Sequence, residues 1–297
     1  ETGAIRLYFL HLTDHSDLDL PFSRLLVDTA VTPDTSEVSW INPRLQPGER
    51  RKVVTGIPGK TGVVYTLDRE TGEFLWATPT IAQNVITSID GATGAVTENS
   101  EVTFTSLGQE VLACPTWAGG KDWEAGAYSP LTNTMFYPLR NTCARMLSTD
   151  NVRGERELAL TEGGQRPLAI YALAARHQIT PGTEDLGTVR AISVETGETS
   201  WLYEQRAGTM SLVATGGGLL FGGDANGRFR AFDQETGEIL WEINLGSPVA
   251  GYPISFAVNG RQYIAASTGT GAGINLRMTP ELRPSTGNNL FVFALPD

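Results

Sequence analysis

Short apolar stretches separated by turns run along this chain. The segments at 63–67 (VVYTL), 229–232 (FRAF), 262–267 (QYIAAS) and 290–295 (LFVFAL) are rich in β-branched and aromatic residues, and the stretch at 219–228 (LLFGGDANGR) ends in a glycine turn. Runs of this kind, bounded by turn residues, predict β-strands. The high contents of glycine (33) and proline (16) agree with many turns. We therefore predict an all-β chain.

Three segments depart from this pattern. Residues 168–177 predict one short, helix-like stretch, and residues 78–106 and 270–284 read as long loops. Proteins built as β-propellers can place such loops over their central channel.

One phrase recurs along the chain. It reads DRETGEFLW at 68–76, SVETGETSW at 193–201 and DQETGEILW at 233–241, and the opening ETGAIRL is a fourth copy with leucine in place of tryptophan. The copies predict a hairpin in which glycine supplies a positive φ and the acidic residue accepts the N–H groups of the turn. Tryptophan then fills the space between stacked sheets. The last two full copies begin 40 residues apart, close to the length of one propeller blade.

Charge and composition exclude several functions. The chain has 297 residues, with 22 Lys and Arg against 33 Asp and Glu, a net charge of −11, and a pI of about 4.8. Such an acidic chain lacks the basic surface of a protein that binds nucleic acid or anionic membranes. No apolar run approaches the roughly 18 residues of a membrane-spanning helix. Only three histidines are present, which argues against a histidine-rich zinc site.

Several motifs accompany the repeat in a characteristic order. They are DLDLP at 17–21, KTGVVYTLDR at 60–69, CPTWAGGKDW at 114–123, AYSP at 127–130, NTC at 141–143, AGTM at 207–210, GYP at 251–253 and LFVFALP at 290–296. Together with the repeat they resemble the pyrroloquinoline quinone (PQQ) dependent, or quinoprotein, alcohol dehydrogenase family. The resemblance implies an eight-bladed β-propeller with tryptophan docking motifs, of which residues 1–297 supply roughly the C-terminal half as one partial domain.

The chain opens on Glu1, inside a copy of the repeat. We therefore expect a fragment or one piece of a split protein, whose N-terminal propeller half is a partner from the same protein or a separate chain. Half a propeller should leave apolar sheet faces uncovered at both ends.

Two carboxylates stand close together in the DLD unit. On a strand, Asp17 and Asp19 would lie on one face and could share a hard cation such as Ca²⁺ or a lanthanide ion. The resemblance implies that Asp17 is the catalytic base and a metal ligand, and that Asp19 is an additional ligand typical of lanthanide-using members. A solvated pair is the alternative. Thr13 and Ser16 stand where the family has His and Trp, so Asp14 is an alternative base.

Three further residues are cofactor candidates by the same resemblance. Lys60 would reach the quinone oxygens of PQQ, where a fixed cation stabilises developing charge. Asn141 would hydrogen-bond the cofactor through its amide. Trp123 would line the cofactor or substrate pocket. The alternatives are an exposed lysine, a turn asparagine and a packing tryptophan.

The chain has two cysteines, Cys114 and Cys143. If this acidic, turn-rich chain is exported, the even count suggests a disulfide. The resemblance pairs these two cysteines and closes a loop of about 30 residues.

The resemblance implies a periplasmic enzyme that oxidises an alcohol, sugar, polyol or aldehyde. Hydride would pass to metal-bound PQQ, and the electrons would leave to a cytochrome c or another acceptor. The alternative is a non-catalytic propeller that serves binding or assembly. The changed segment at Ser16 favours that alternative, as does Arg206, which stands where some family members have tryptophan. Substrate, oligomeric state and the choice between calcium and a lanthanide stay open.

Overall fold

The computed structural model describes residues 8–11, 17–106, 108–148, 176–269 and 273–295. Within these ranges the strands are β1 (Leu25–Val31), β2 (Trp40–Ile41), β3 (Glu49–Gly56), β4 (Val63–Asp68), β5 (Phe74–Pro79), β6 (Ile86–Ile89), β7 (Val96–Glu98), β8 (Glu110–Ala113), β9 (Ala127–Ser129), β10 (Thr134–Arg140), β11 (Thr142–Leu147), β12 (Arg176–Ile179), β13 (Gly187–Ser193), β14 (Thr199–Gln205), β15 (Thr209–Ala214), β16 (Leu219–Asp224), β17 (Arg228–Asp233), β18 (Ile239–Asn244), β19 (Ile254–Val258), β20 (Arg261–Ser267) and β21 (Leu290–Phe293). One short helix, α1 (Gly273–Met278), precedes β21.

Four antiparallel sheets form successive blades, which confirms the predicted propeller architecture. The first has the order β1-β3-β4-β5 with β2 added at its outer edge, the second β9-β10-β13-β14, the third β15-β16-β17-β18 and the fourth β19-β20-β21. A three-stranded sheet (β8, β11, β12) and the β6–β7 hairpin stand outside this series.

The repeated phrase forms the turn between the third and fourth strands of a blade. In the first blade, Oδ1 of Asp68 accepts hydrogen bonds from the N–H groups of Glu70 and Thr71 at 2.8 and 2.9 Å. Gly72 follows with a φ of 78°, a conformation that glycine adopts without strain. Asp233 accepts the same pair of bonds in the third blade. The predicted turn chemistry is confirmed.

The tryptophans dock each blade on the turn of the next. A Cβ atom at Gly197 would lie 3.1 Å from the Trp76 ring, and one at Gly237 would lie 2.6 Å from the Trp201 ring. Trp76 and Trp201 are accordingly buried. Trp241 of the third blade is 38% exposed, because the connection between β20 and β21 in the fourth blade carries no copy of the phrase.

Apolar clusters fill the spaces between consecutive blades. Val64 and Trp76 of the first blade pack with Met135 of the second, and Phe136 of the second packs with Phe232 of the third. A further cluster joins the third and fourth blades. Where a blade is covered on both faces, its inner strands are buried along their whole length and read as nearly continuous apolar runs, as in β4 and β10.

The two ends of the series differ. The outer face of the first blade is covered, since Tyr65 and Phe74 pack with Ile86 and Ile89 of the β6–β7 hairpin. The fourth blade instead exposes a patch of apolar side chains: Ile254, Phe256, Val258, Leu290 and Val292. The expectation of uncovered apolar faces at both ends is therefore wrong for the first blade.

Two other expectations are corrected. The region at 78–106 is not a plain loop, since it contains β6, β7 and the turn between them, and the region at 270–284 contains α1. Most of the helix-like stretch at 168–177 lies outside the described residues, and its last two residues begin strand β12. No helix within the described ranges is long and apolar enough to cross a bilayer.

Candidate functional site

The candidate residues lie at one end of the blades. Register pairs Leu25 with Thr55, so the segment before β1 and the β3–β4 loop, which carries Lys60, meet at the same end of the first blade. In the second blade, Trp123 precedes β9 and Asn141 follows β10, which places both at the corresponding end.

Backbone hydrogen bonds join these two blade ends. The N–H group of Gly120 donates to the carbonyl of Lys60 at 2.8 Å, and the N–H group of Arg140 donates to the carbonyl of Gly120 at 2.7 Å. These two hydrogen bonds through Gly120 thus link Lys60 to Arg140, the residue that precedes Asn141.

Lys60 brings both predicted carboxylates together. Its Nζ atom lies 3.1 Å from Oδ2 of Asp17 and 2.7 Å from Oδ1 of Asp19. The ammonium is mostly enclosed, with 10% of the side chain exposed, whereas the two carboxylates are 58% and 44% exposed. One buried cation therefore faces two carboxylates that remain open to a ligand.

The backbone explains this arrangement, and it differs from the expected one. Asp17 and Asp19 lie in irregular structure before β1, and Asp17 has a φ of 58°, so strand alternation does not align them. The N–H group of Lys60 donates to the carbonyl of Asp19 at 3.2 Å. A Cβ atom at Gly59 would lie 2.5 Å from that carbonyl oxygen, so only glycine permits this approach.

The pair of carboxylates also fixes the charge of Lys60. Burial opposes its charged form, but the hydrogen bonds and charges of Asp19 and Asp17 outweigh burial and hold the pKa of Lys60 above its ordinary value. Lys60 is a permanent cation at neutral pH.

Asn141 is held in place by its neighbours. Its N–H group donates to the carbonyl of Leu186 at 2.8 Å, and its side-chain Nδ2 donates to the carbonyl of Asp185 at 3.0 Å. The predicted Cys114–Cys143 disulfide is present, and it ties the strand that follows Asn141 to the end of β8.

Trp123 stands in a separate aromatic corner. Its ring meets that of Tyr252 edge-on at 5.9 Å, and the Tyr252 hydroxyl donates to the Trp123 carbonyl at 3.3 Å. Trp123 is 36% exposed and Tyr252 56%. The structure thus leaves part of the Trp123 ring available to a ligand. Its aromatic contact, Tyr252, lies in the segment just before the fourth blade.

Sequence reasoning missed a buried ion cluster beside Asn141. Arg140 is 3% exposed and makes paired contacts of 3.2 and 3.3 Å with the carboxylate of Glu124, which is 2% exposed, and a contact of 3.4 Å with Asp122. A bidentate arginine pair of this kind fixes geometry. The available signal was the charged run KDWE at 121–124 between two apolar segments.

Arg206, which departs from the family pattern, is engaged elsewhere. Its Nε atom lies 2.6 Å from Oε1 of Glu281, and its Nη1 atom donates to the carbonyl of Glu184. It joins two loops at the site end of the blades.

Two carboxylates are the candidate metal donors of the site. Asp17 and Asp19 meet at Lys60, and no group of three or more His, Cys, Asp or Glu side chains gathers in the described ranges. Asp14, Thr13 and Ser16 lie outside those ranges.

Comparison with known proteins agrees with this geometry. The family described as "Glucose/ethanol/alcohol dehydrogenase, beta-propeller domain" (PQQ) matches residues 183–264. The quinoprotein ethanol dehydrogenase of Pseudomonas putida is 29% identical over 80% of this chain and 38% of its own length, and the lanthanide-dependent methanol dehydrogenase of Methylacidiphilum fumariolicum is 31% identical over 76% and 36%. This chain belongs to the quinoprotein alcohol dehydrogenase family.

The fold of this quinoprotein chain is also that of solved relatives. A europium-containing methanol dehydrogenase superposes with a TM-score of 0.70 at 24% identity, over 87% of this chain and 47% of that protein. The chain spans little more than a third of the length of the curated relatives it matches.

Proposed function

We propose that this chain forms part of the active site of a PQQ-dependent alcohol dehydrogenase. The observation that carries the proposal is the Lys60 ammonium held between Asp17 and Asp19, at 3.1 and 2.7 Å. It lies at the blade end to which family resemblance assigns the quinone and the metal.

The donor chemistry fits both groups. Lys60 offers a fixed cation to quinone oxygens, Asn141 offers an amide, and the exposed carboxylates offer hard oxygen ligands. Ca²⁺ takes about six to eight oxygen ligands, so two aspartates supply part of a site that other parts of the protein complete. When bound, PQQ supplies an ortho-quinone that accepts hydride, and the metal ion polarises it as a Lewis acid.

The side chains of this chain then have distinct roles. Asp17 accepts the hydroxyl proton of the alcohol, which becomes a carbonyl as it loses a proton and a hydride. Lys60 holds the Asp17 carboxylate in orientation and presents positive charge where negative charge develops. Asp19, with Asp17, binds the metal ion, and the lanthanide-dependent relative supports a lanthanide alongside calcium as candidate.

Two features bear on partners and location. The exposed apolar face of the fourth blade, which includes Leu290 (70% exposed) and Ile254 (54%), is suited to another blade from the N-terminal propeller half. The Cys114–Cys143 disulfide supports an oxidising compartment, the periplasm. A cytochrome c is the proposed electron acceptor.

A non-catalytic propeller is the second candidate. Arg206, bound to Glu281 and to a loop carbonyl, replaces a family tryptophan and favours this alternative. Such a protein would neither bind PQQ nor reduce a dye.

The test is alcohol-dependent dye reduction by the protein that carries this chain, loaded with PQQ and either Ca²⁺ or La³⁺. Asp17→Asn should lower kcat by about 10²–10⁴-fold. Asp28→Asn is the matched control, because Asp28 is an exposed carboxylate of the same blade that pairs with Arg69. Asp14→Asn distinguishes the alternative base. No PQQ-dependent activity with any alcohol would refute the proposal.

A further inference from the structure

Lys121 is a buried lysine that makes no direct ion pair with a carboxylate of the described ranges. The chain has three lysines. Lys52 pairs with Glu70 on the surface and Lys60 pairs with two aspartates. Lys121 is only 3% exposed, yet no carboxylate of the described ranges lies within ion-pair distance of its ammonium.

The contacts of Lys121 leave its charge largely uncompensated. Nζ donates to the carbonyl of Asp122 at 2.9 Å and stands 4.2 Å from the centroid of the Phe22 ring. The nearest acidic groups, Asp122 and Glu124, are already engaged by Arg140. Burying an ammonium that no carboxylate contacts directly costs folding free energy.

The ammonium lies next to the Lys60 site. Phe22 follows the Asp17–Asp19 unit, and its N–H group donates to the carbonyl of Pro58 at 3.0 Å in the loop that carries Lys60. On the other side, Gly120 binds the Lys60 carbonyl. Two lysines therefore converge on one end of the blades, one paired and one covered by an aromatic ring.

We propose that Lys121 is an anion-binding residue of the site, whose ligand is a carboxylate group of the cofactor, and that this carboxylate takes the place of the Phe22 ring against the ammonium. PQQ carries three carboxylates, so the assignment rests on the proposed function. A residue that weakens the empty protein but improves ligand binding accounts for a lysine at a position where an apolar residue would pack better.

The titration of Lys121 supports the assignment. Burial lowers the pKa of Lys121 to about 8. The charges of Glu124 and Asp122 act to raise this pKa and the charge of Arg140 acts to lower it, but burial has the largest effect. Lys60, Asp17 and Asp19 belong to the neighbouring segments, which Phe22 joins through its hydrogen bond to Pro58. A bound carboxylate favours the charged form and raises this pKa, so the affinity for the anion is full below about pH 8 and falls as the pH rises above it.

The experiment measures PQQ binding and stability, independent of turnover. In the protein that carries this chain, PQQ affinity is measured by quenching of tryptophan fluorescence, and the unfolding midpoint is measured without ligand. Lys121→Met should bind PQQ at least about tenfold more weakly and unfold at a higher temperature than wild type. Lys121→Arg keeps the charge and should retain the affinity. Lys52→Met, the same change at an exposed pair, should alter neither.

The pH dependence gives a second readout. Wild-type affinity for PQQ should fall at least about tenfold from about pH 7.5 to about pH 10, since one pKa unit is tenfold, whereas Lys121→Arg and Lys121→Met should show no such fall. Unchanged PQQ affinity in Lys121→Met, or a lower unfolding midpoint, would overturn the inference.

Two further arms separate the sources of the carboxylate and the two proposals. Trimellitate, an aromatic tricarboxylate without a quinone, should bind in the same Lys121-dependent way. If trimellitate binds in this way but PQQ does not bind, the proposed function is refuted and Lys121 is still an anion-binding residue. If Lys121→Met keeps its PQQ affinity but raises the KM of the loaded enzyme for glycolate and not for ethylene glycol, the carboxylate belongs to the substrate and the assignment to the cofactor is wrong.

Discussion

The docking of tryptophan on glycine turns can be tested at Gly237. This residue has a φ of 74°, and a Cβ atom there would lie 2.6 Å from the Trp201 ring. Trp201 cannot easily yield, because it is 9% exposed and its Nε1 atom donates to the Gln234 carbonyl at 3.0 Å. Gly237→Ala should therefore both strain the backbone and push the second and third blades apart.

The magnitude can be worked out with a matched control in the same blade. A left-handed non-glycine residue costs about 1–2 kcal/mol, and overpacking a dense contact costs about 1–3 kcal/mol more, so Gly237→Ala should lose about 2–5 kcal/mol. Gly218 has a φ of 80° with nothing within 4 Å of its Cβ position. Gly218→Ala should therefore lose the strain alone, about 1–2 kcal/mol.

Urea unfolding of the protein that carries this chain measures both losses, through the transition midpoint at constant slope. The difference between the two variants isolates the tryptophan contact. Equal losses in Gly237→Ala and Gly218→Ala would refute the reasoning that the ring, and not φ alone, requires glycine.

Two further predictions concern stability. Replacing Cys114 and Cys143 together by serine should lower the free energy of unfolding by about 3–4 kcal/mol, because their link closes a loop of 29 residues; an unchanged urea midpoint would contradict this. Burial acts to raise the pKa of Asp68, but the N–H groups of Thr71 and Glu70 and the Arg51 guanidinium outweigh it and hold the pKa below its ordinary value. This stability is present above about pH 4 and is lost as the pH falls through the depressed pKa, so acid should destabilise wild type more than Asp68→Asn in unfolding scans; equal acid sensitivity would contradict the assignment.

Features encoded by neighbouring residues were predictable from the sequence. The turn at 68–72 needs an acidic acceptor and a glycine at fixed spacing, and both are visible in the letters. The same signal was present but unused at Asp90, whose Oδ1 accepts from the N–H groups of Ala92 and Thr93 at 3.1 and 2.8 Å. That turn joins β6 and β7, so the same signal would have predicted a hairpin where a long loop was expected.

Features that depend on tertiary contact were not predictable. Helix α1 has only six residues, too short to stand alone, and its buried Asn275 packs so closely on Gly208 that a Cβ there would lie 2.4 Å from the amide oxygen. No local sequence pattern predicts a helix of this kind.

The site divides in the same way. Family resemblance supplied Asp17, Asp19 and Lys60 as site residues. Their contact joins segments about 40 residues apart, so it could not be predicted from neighbouring residues. Strand alternation within the DLD unit was the wrong explanation for the proximity of the two carboxylates. Lys121 and Arg140 were missed. The charged run at 121–124 marks the place, but the packing of the blades decides which charged side chains are buried there.

The most direct measurement of the central claim is the PQQ content of the protein that carries this chain, after loading with PQQ and metal ion, removal of free cofactor and release by denaturation. We expect close to one PQQ per protein in wild type and in Lys52→Met, and a marked loss in Lys60→Met, in which the cation between Asp17 and Asp19 is removed. Wild-type protein that retains no PQQ, or Lys60→Met that retains as much as wild type, would contradict the account.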